Sequence, residues 1–116
     1  MEIRIVKNSI SKKELAAIAE NQFGDLVKAV VDVERGIMAI GGELHADEEA
    51  ALTAEEGSER RDTWGINIYP SKPREEWIEF DSMVNLKPSL GNRSRSVENP
   101  DIRKEIEAIV AKLVSE

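Results

Sequence analysis

Apolar residues recur along this chain at two spacings, and the spacings mark out its elements. Period two, the signature of a strand, runs through residues 2–6 (Ile3, Ile5), 27–33 (Val27, Ala29, Val31, Val33) and 63–69 (Trp64, Ile66, Ile68). Val30 breaks the alternation of the second run. The turn Glu34-Arg35-Gly36 then returns the chain as a further strand over 37–44, which makes a hairpin. Gly41-Gly42 near its end predicts a bulge or a close backbone approach. A last strand is predicted over 77–86. There Ile78, Phe80, Val84 and Leu86 share one face, Glu79, Asp81, Asn85 and Lys87 share the other, and Pro88 removes the donor that would extend the ladder.

Helical spacing appears twice. Ser11 with Glu14 three residues on is a capping box, and Leu15, Ile18, Ala19, Gln22 and Phe23 follow on one stripe until Gly24. Asn99-Pro100-Asp101 supplies a cap, a proline at the first helical position and an acid in the first turn. Ile102, Ile106, Ile109, Val110 and Leu113 form the stripe behind it. Between the hairpin and residue 63 lies an acid-rich stretch. A short helix over 48–54, capped by Asp47, or an extended excursion would each fit it.

The order is β-α-β-β-(short α)-β-β-α. Hairpin-linked neighbours predict an α+β two-layer sandwich, with a mostly antiparallel sheet and two main helices packed on one face. Two helices cover one side only, so the other is expected to be wet, filled by loops, or used for binding or self-association. At 116 residues there is room for a single domain, residues 1–116.

Composition narrows the function. A net charge of −7 and a pI near 4.9 argue against a general nucleic-acid binder. The absence of cysteine removes disulfides, thiolate-ligated zinc and thiol catalysis. No apolar leader and no run of 18 apolar residues occur, so a cytoplasmic protein without a membrane segment is expected.

The segments GGELHADEE, TWGINIYP and EFDSMVNLKPSLGNRSR resemble a small prokaryotic family catalogued only as a domain of unknown function. The resemblance runs from about the first helix to the last. It implies no activity, cofactor or catalytic residue.

Three constellations carry candidate chemistry. Glu43, His45 and Asp47 alternate, so on an extended strand they would share the polar face, where imidazole and carboxylates suit a divalent zinc, iron or manganese ion. His45 flanked by acids would also have a raised pKa and serve as a general base. The bland alternative is a histidine that hydrogen-bonds backbone at a strand end. Second, Glu79 and Asp81 would face Asn67 across neighbouring strands. Close carboxylates suit acid–base work, but a solvated sheet face looks the same in sequence.

Third, residues 82–97 contain no acid but hold Lys87, Arg93 and Arg95, a local +3 that leaves −10 for the remainder of the chain. Lys87, Asn92, Arg93, Ser94 and Arg95 are candidate ligand contacts, because arginine forks and a Gly-Asn nest of amides suit phosphate or carboxylate. The spacing is not that of a Walker A loop. The alternative is that these arginines pair with the chain's own acids, with Glu43, Asp47 and Asp81 as candidates. Trp64, Trp77 and Tyr69 could stack a base or sugar, though core packing is the commoner use.

The leading expectation is a domain that binds a phosphate-bearing small molecule or a protein partner through the 91–95 loop and the polar strand face. The alternatives are a metal-assisted or acid–base hydrolase using Glu43, His45, Asp47 and Asp81, and a module that dimerises through its uncovered sheet face. No cofactor is indicated by any motif.

Overall fold

A computed structural model describes residues 2–116. Five strands form one antiparallel sheet in the order β1-β4-β3-β5-β6: β1 (Arg4–Val6), β3 (Val27–Asp32), β4 (Ile37–Ile40), β5 (Thr63–Ile68) and β6 (Ile78–Glu79). Two further strands, β2 (Ile10–Ser11) and β7 (Val114–Ser115), pair in parallel beside it. Three helices complete the α+β architecture: α1 (Lys12–Gln22), α2 (His45–Glu56) and α3 (Pro100–Leu113).

Both main helices start where their caps predict. Ser11 Oγ accepts from the Glu14 amide at 3.0 Å, and the Glu14 carboxylate faces back to the Ser11 amide. Asn99 Oδ1 accepts from the Asp101 amide at 2.8 Å, ahead of a helix opened by Pro100. These bonds satisfy amide donors that a helix leaves free at its start. Leu15 and Ala19 of α1 and Ile106, Val110 and Leu113 of α3 then pack on one sheet face, against Val27, Ala29, Val31, Met38, Ile40, Ile66 and Ile68. Trp64 and Trp77 belong to that core, each 2% exposed.

The second face is covered too. Val30, the residue that broke the alternation, lies there with Ile37 and Ala39 beneath Leu52 of α2. The short helix is longer than the expected 48–54 and begins earlier, after Leu44, with no side-chain cap. What seats it is Glu48, fully buried, whose Oε2 accepts from the Gly42 amide at 2.9 Å. A Cβ at Gly42 would stand 2.8 Å from Glu48 Cγ, so the second glycine of the pair is the close approach that side chain needs.

The strand predicted over 77–86 is shorter in fact. Pairing with β5 ends at Glu79, and the chain turns through a 3-10 segment at Met83–Asn85. Gly65 explains the departure. A Cβ there would stand 2.5 Å from Ser82 Cβ and 2.9 Å from Val84 Cγ2, so the chain crosses over β5 at its one residue without a side chain.

Two outcomes check this packing. Ile106, fully buried, should cost about 2–5 kcal/mol when cut to alanine, and the half-buried Ile109 clearly less, by denaturant unfolding. Burial pushes the Glu48 carboxyl from its ordinary 4.5 up to about 9, with the Gly42 amide opposing. Folding therefore takes up a proton between those values. Stability is full below the unfolded pKa and falls as pH rises toward 9, by on the order of a few kcal/mol. Glu48→Gln should flatten this slope in unfolding measured across that window.

Candidate functional site

The acid-free stretch is a built loop rather than a slack connection, and two asparagines build it. Beyond Glu79 the edge of β5 has no strand beside it, which would leave Gly65 with unpaired backbone groups. The Asn85 carboxamide replaces the missing strand. Its Oδ1 accepts from Gly65 N at 2.8 Å and its Nδ2 donates to Gly65 O at 2.9 Å. The same Nδ2 reaches Arg95 O at 2.9 Å, and the Ser82 amide donates to that oxygen as well. Asn92 does for the turn what Asn85 does for the sheet. Its Nδ2 donates to the carbonyls of Asn85, Ser94 and Ser96, and its Oδ1 accepts from the Glu98 amide at 2.9 Å. Lys87 and Asn92 also exchange both backbone bonds, closing a small loop around Pro88–Leu90.

On this frame the predicted ligand contacts take different positions. The Arg95 guanidinium Nε donates to Asp81 Oδ1 at 2.7 Å, an exposed ion pair and the internal partner named as one alternative. The Arg93 amide donates to Glu98 Oε2 at 3.0 Å. The Ser94 side chain also bonds that carboxylate and is the main reason Glu98 sits below the usual carboxylate range, with the Arg93 and Ser94 amides adding to it. The Arg93 guanidinium forms no ion pair among the described residues. Lys87 is 5% exposed, and its ammonium donates to Val84 O at 2.8 Å.

The first constellation comes apart. Helix α2 begins at His45, so Glu43, His45 and Asp47 do not alternate on a strand. Among the described residues no three His, Asp or Glu side chains are grouped to hold a metal ion. Glu43 and Asp47 are exposed. His45 Nε2 lies 2.8 Å from Ile66 O. A carbonyl only accepts, so the neutral ring carries its hydrogen on Nε2 and its lone pair on Nδ1. The expectation of a raised pKa is overturned. Burial lowers it and Lys28 adds to the effect, outweighing the bond to Ile66 and the charge of Asp81.

In the second constellation Asn67 meets the carboxylate of Glu79, while that of Asp81 turns to Arg95. Asn67 Nδ2 donates to Glu79 Oε1 at 2.8 Å and reaches the backbone oxygen, not the carboxylate, of Asp81 at 3.4 Å. Tyr69 also donates to Glu79, at 3.1 Å. Burial and that carboxylate hold the phenol above its ordinary value.

Asn85, Glu98 and Arg60 escaped the sequence reading. Asn85 looked like one more polar position on a strand, and Glu98 fell just outside the acid-free window. Arg60 stands in the acid-rich stretch, yet it reaches Leu86 O at 3.2 Å and Val84 O at 3.5 Å. Asn85→Ala leaves the Gly65 amide and carbonyl without partners in a buried place. It should cost about 2–5 kcal/mol, and amide exchange should speed up first at Gly65.

No helix among the described residues is long and apolar enough to cross a membrane. No curated protein and no solved structure matches the chain. Residues 4–113 match the model of a family described as a protein of unknown function (DUF5674). That span takes in α1, the sheet and α3 together with the Asn85 and Asn92 frame. The chain therefore belongs to this family, DUF5674.

Proposed function

We propose that the protein binds an anionic group, carried by a small molecule or a partner, on the turn formed by Arg93, Ser94 and Arg95. The observation that carries the reading is the Glu98 carboxylate. It already rests on the Arg93 amide and the Ser94 side chain, so the turn is shaped to hold an anion. Asn92 fixes that shape from inside, and no ligand is needed to order it.

The charges favour exchange. Arg93 has a guanidinium with no ion pair of its own among the described residues. The Arg95–Asp81 pair is exposed on both sides, 56% and 45%, and such pairs contribute little to stability. A phosphate brings more oxygens than a carboxylate and can engage the two amides and both guanidiniums at once. On this reading Lys87 and Asn92 shape the turn, while Arg93, Ser94 and Arg95 touch the ligand. Glu98 is the resident group that the ligand displaces.

Inorganic phosphate titrated into the protein should shift the amide resonances of Arg93, Ser94 and Glu98. Arg93→Ala should weaken binding and Glu98→Gln should tighten it, each by roughly two- to fivefold, the range of a surface charge pair. Silence at these amides in both the native protein and Glu98→Gln would sink the reading.

A further inference from the structure

The entrance of the same loop holds a second set of groups that the anion reading leaves unused. A cleft of about 310 Å³ opens between Arg60 and Arg61 on one side and Leu86, Lys87 and Leu90 on the other. Lys87 has an unusual setting there. Its Nζ and the Arg60 Nη1 both donate to a single oxygen, Val84 O, at 2.8 and 3.5 Å. No carboxylate pairs with Lys87 among the described residues, whereas Arg60 is held by Glu49 at 3.0 Å. The ammonium also stands 4.8 Å from the Trp64 ring centroid, and the residue is 5% exposed.

The Trp64 ring face and the Val84 carbonyl favour the ammonium, while loss of water and the neighbouring Arg60 charge favour the neutral amine. That is the setting in which lysine becomes a nucleophile. The remaining walls suit a particular substrate. Arg60 and Arg61 are exposed and can turn a fork toward a carboxylate or phosphate. Leu86, Pro88 and Leu90 supply apolar surface for a carbon skeleton, and Leu90 is 53% exposed, more than a core residue would be.

We propose that Lys87 is a nucleophilic amine that forms a reversible imine with a small aldehyde or ketone carrying a carboxylate or phosphate, bound in the Arg60–Arg61–Leu90 cleft. The amine lone pair attacks the carbonyl carbon, and one nitrogen-bound hydrogen passes to the oxygen to give a carbinolamine. Nitrogen then gives up its second hydrogen, the hydroxyl leaves with a proton as water, and the carbon–nitrogen double bond forms. No oxidant or reductant takes part. The amine breaks one hydrogen bond, that to Val84 O, to reach the carbonyl. Burial first, and then the charge of Arg60, hold Lys87 down to about 8 against the opposing charge of Glu49, so far more of it is uncharged near neutral pH than of an ordinary lysine. The proposal does not depend on the Arg93 turn, which uses other groups.

Pyridoxal 5′-phosphate serves as the probe, with unphosphorylated pyridoxal as the control that lacks the anion. The intact protein is incubated with each at pH 7.5, reduced with borohydride to fix any imine, and mapped by peptide mass. The expected result is a Lys87 adduct well ahead of every other lysine, with a half-maximum near pH 8 and at least severalfold more label from the phosphate-bearing aldehyde. The N-terminal amine titrates in the same range and is read separately in the map. Labelling spread over the exposed lysines, with Lys87 at or below their level, would overturn the proposal. Equal labelling of Lys87 by both aldehydes would remove the part assigned to Arg60 and Arg61.

Discussion

The carboxamide of Asn85 closing on the backbone of Gly65 is the contact on which the cationic loop of this molecule depends. A sheet edge needs partners for its amides and carbonyls, and β6 supplies them for only two residues. A carboxamide offers an acceptor and a donor at about the spacing of a peptide group, so one side chain can complete what a strand would have completed. Because that side chain also reaches Arg95 O, the edge of the sheet and the cationic turn are tied to one residue. Asn92 passes the constraint onward to Ser94, Ser96 and Glu98, just before α3 begins.

This arrangement explains how an acidic protein keeps a cationic surface feature in place. Held only by charge, the turn would have arginines that swing between several nearby acids. Held instead by buried amide bonds, it presents the Arg93 amide and the Ser94 side chain in one geometry, with the Arg95–Asp81 pair left exposed. Neutral, buried hydrogen bonds do the positioning, and exposed charges remain available for exchange.

The central strands show a related division. β3 and β4 are buried along nearly their whole length, since α1 and α3 press on one face and α2 on the other. A carboxyl group, Glu48, is taken inside to hold α2 down, and burial raises its pKa against the opposing Gly42 amide and the charge of Lys28. The polar groups that remain on that second face, Lys28, His45 and Asn67, collect where α2 ends its cover. Burial there lowers the affinity of His45 for a proton.

The chain's own pattern determined the helices and the hairpin. Their signals are local: a capping box at Ser11 and Glu14, Asn99 before Pro100, alternation over 27–33 followed by the turn at Gly36. Each cap acts on an amide two or three positions away, so the spacing itself carries the physics. The cationic content of the 82–97 stretch was legible for the same reason, as was the Arg95–Asp81 pair as one of several named options. Tertiary structure decided the rest. Whether Asn85 points to solvent or to Gly65 depends on a glycine 20 residues earlier that lets the chain cross the strand. The setting of Lys87 depends on its burial and then on Arg60, brought to the same carbonyl oxygen from another segment. The pKa of His45 turned on the burial of its ring, which lies against Ile66 of β5, and no count of neighbouring acids contains that. Spacing determines which face a residue shares, and only the packed chain determines what meets that face.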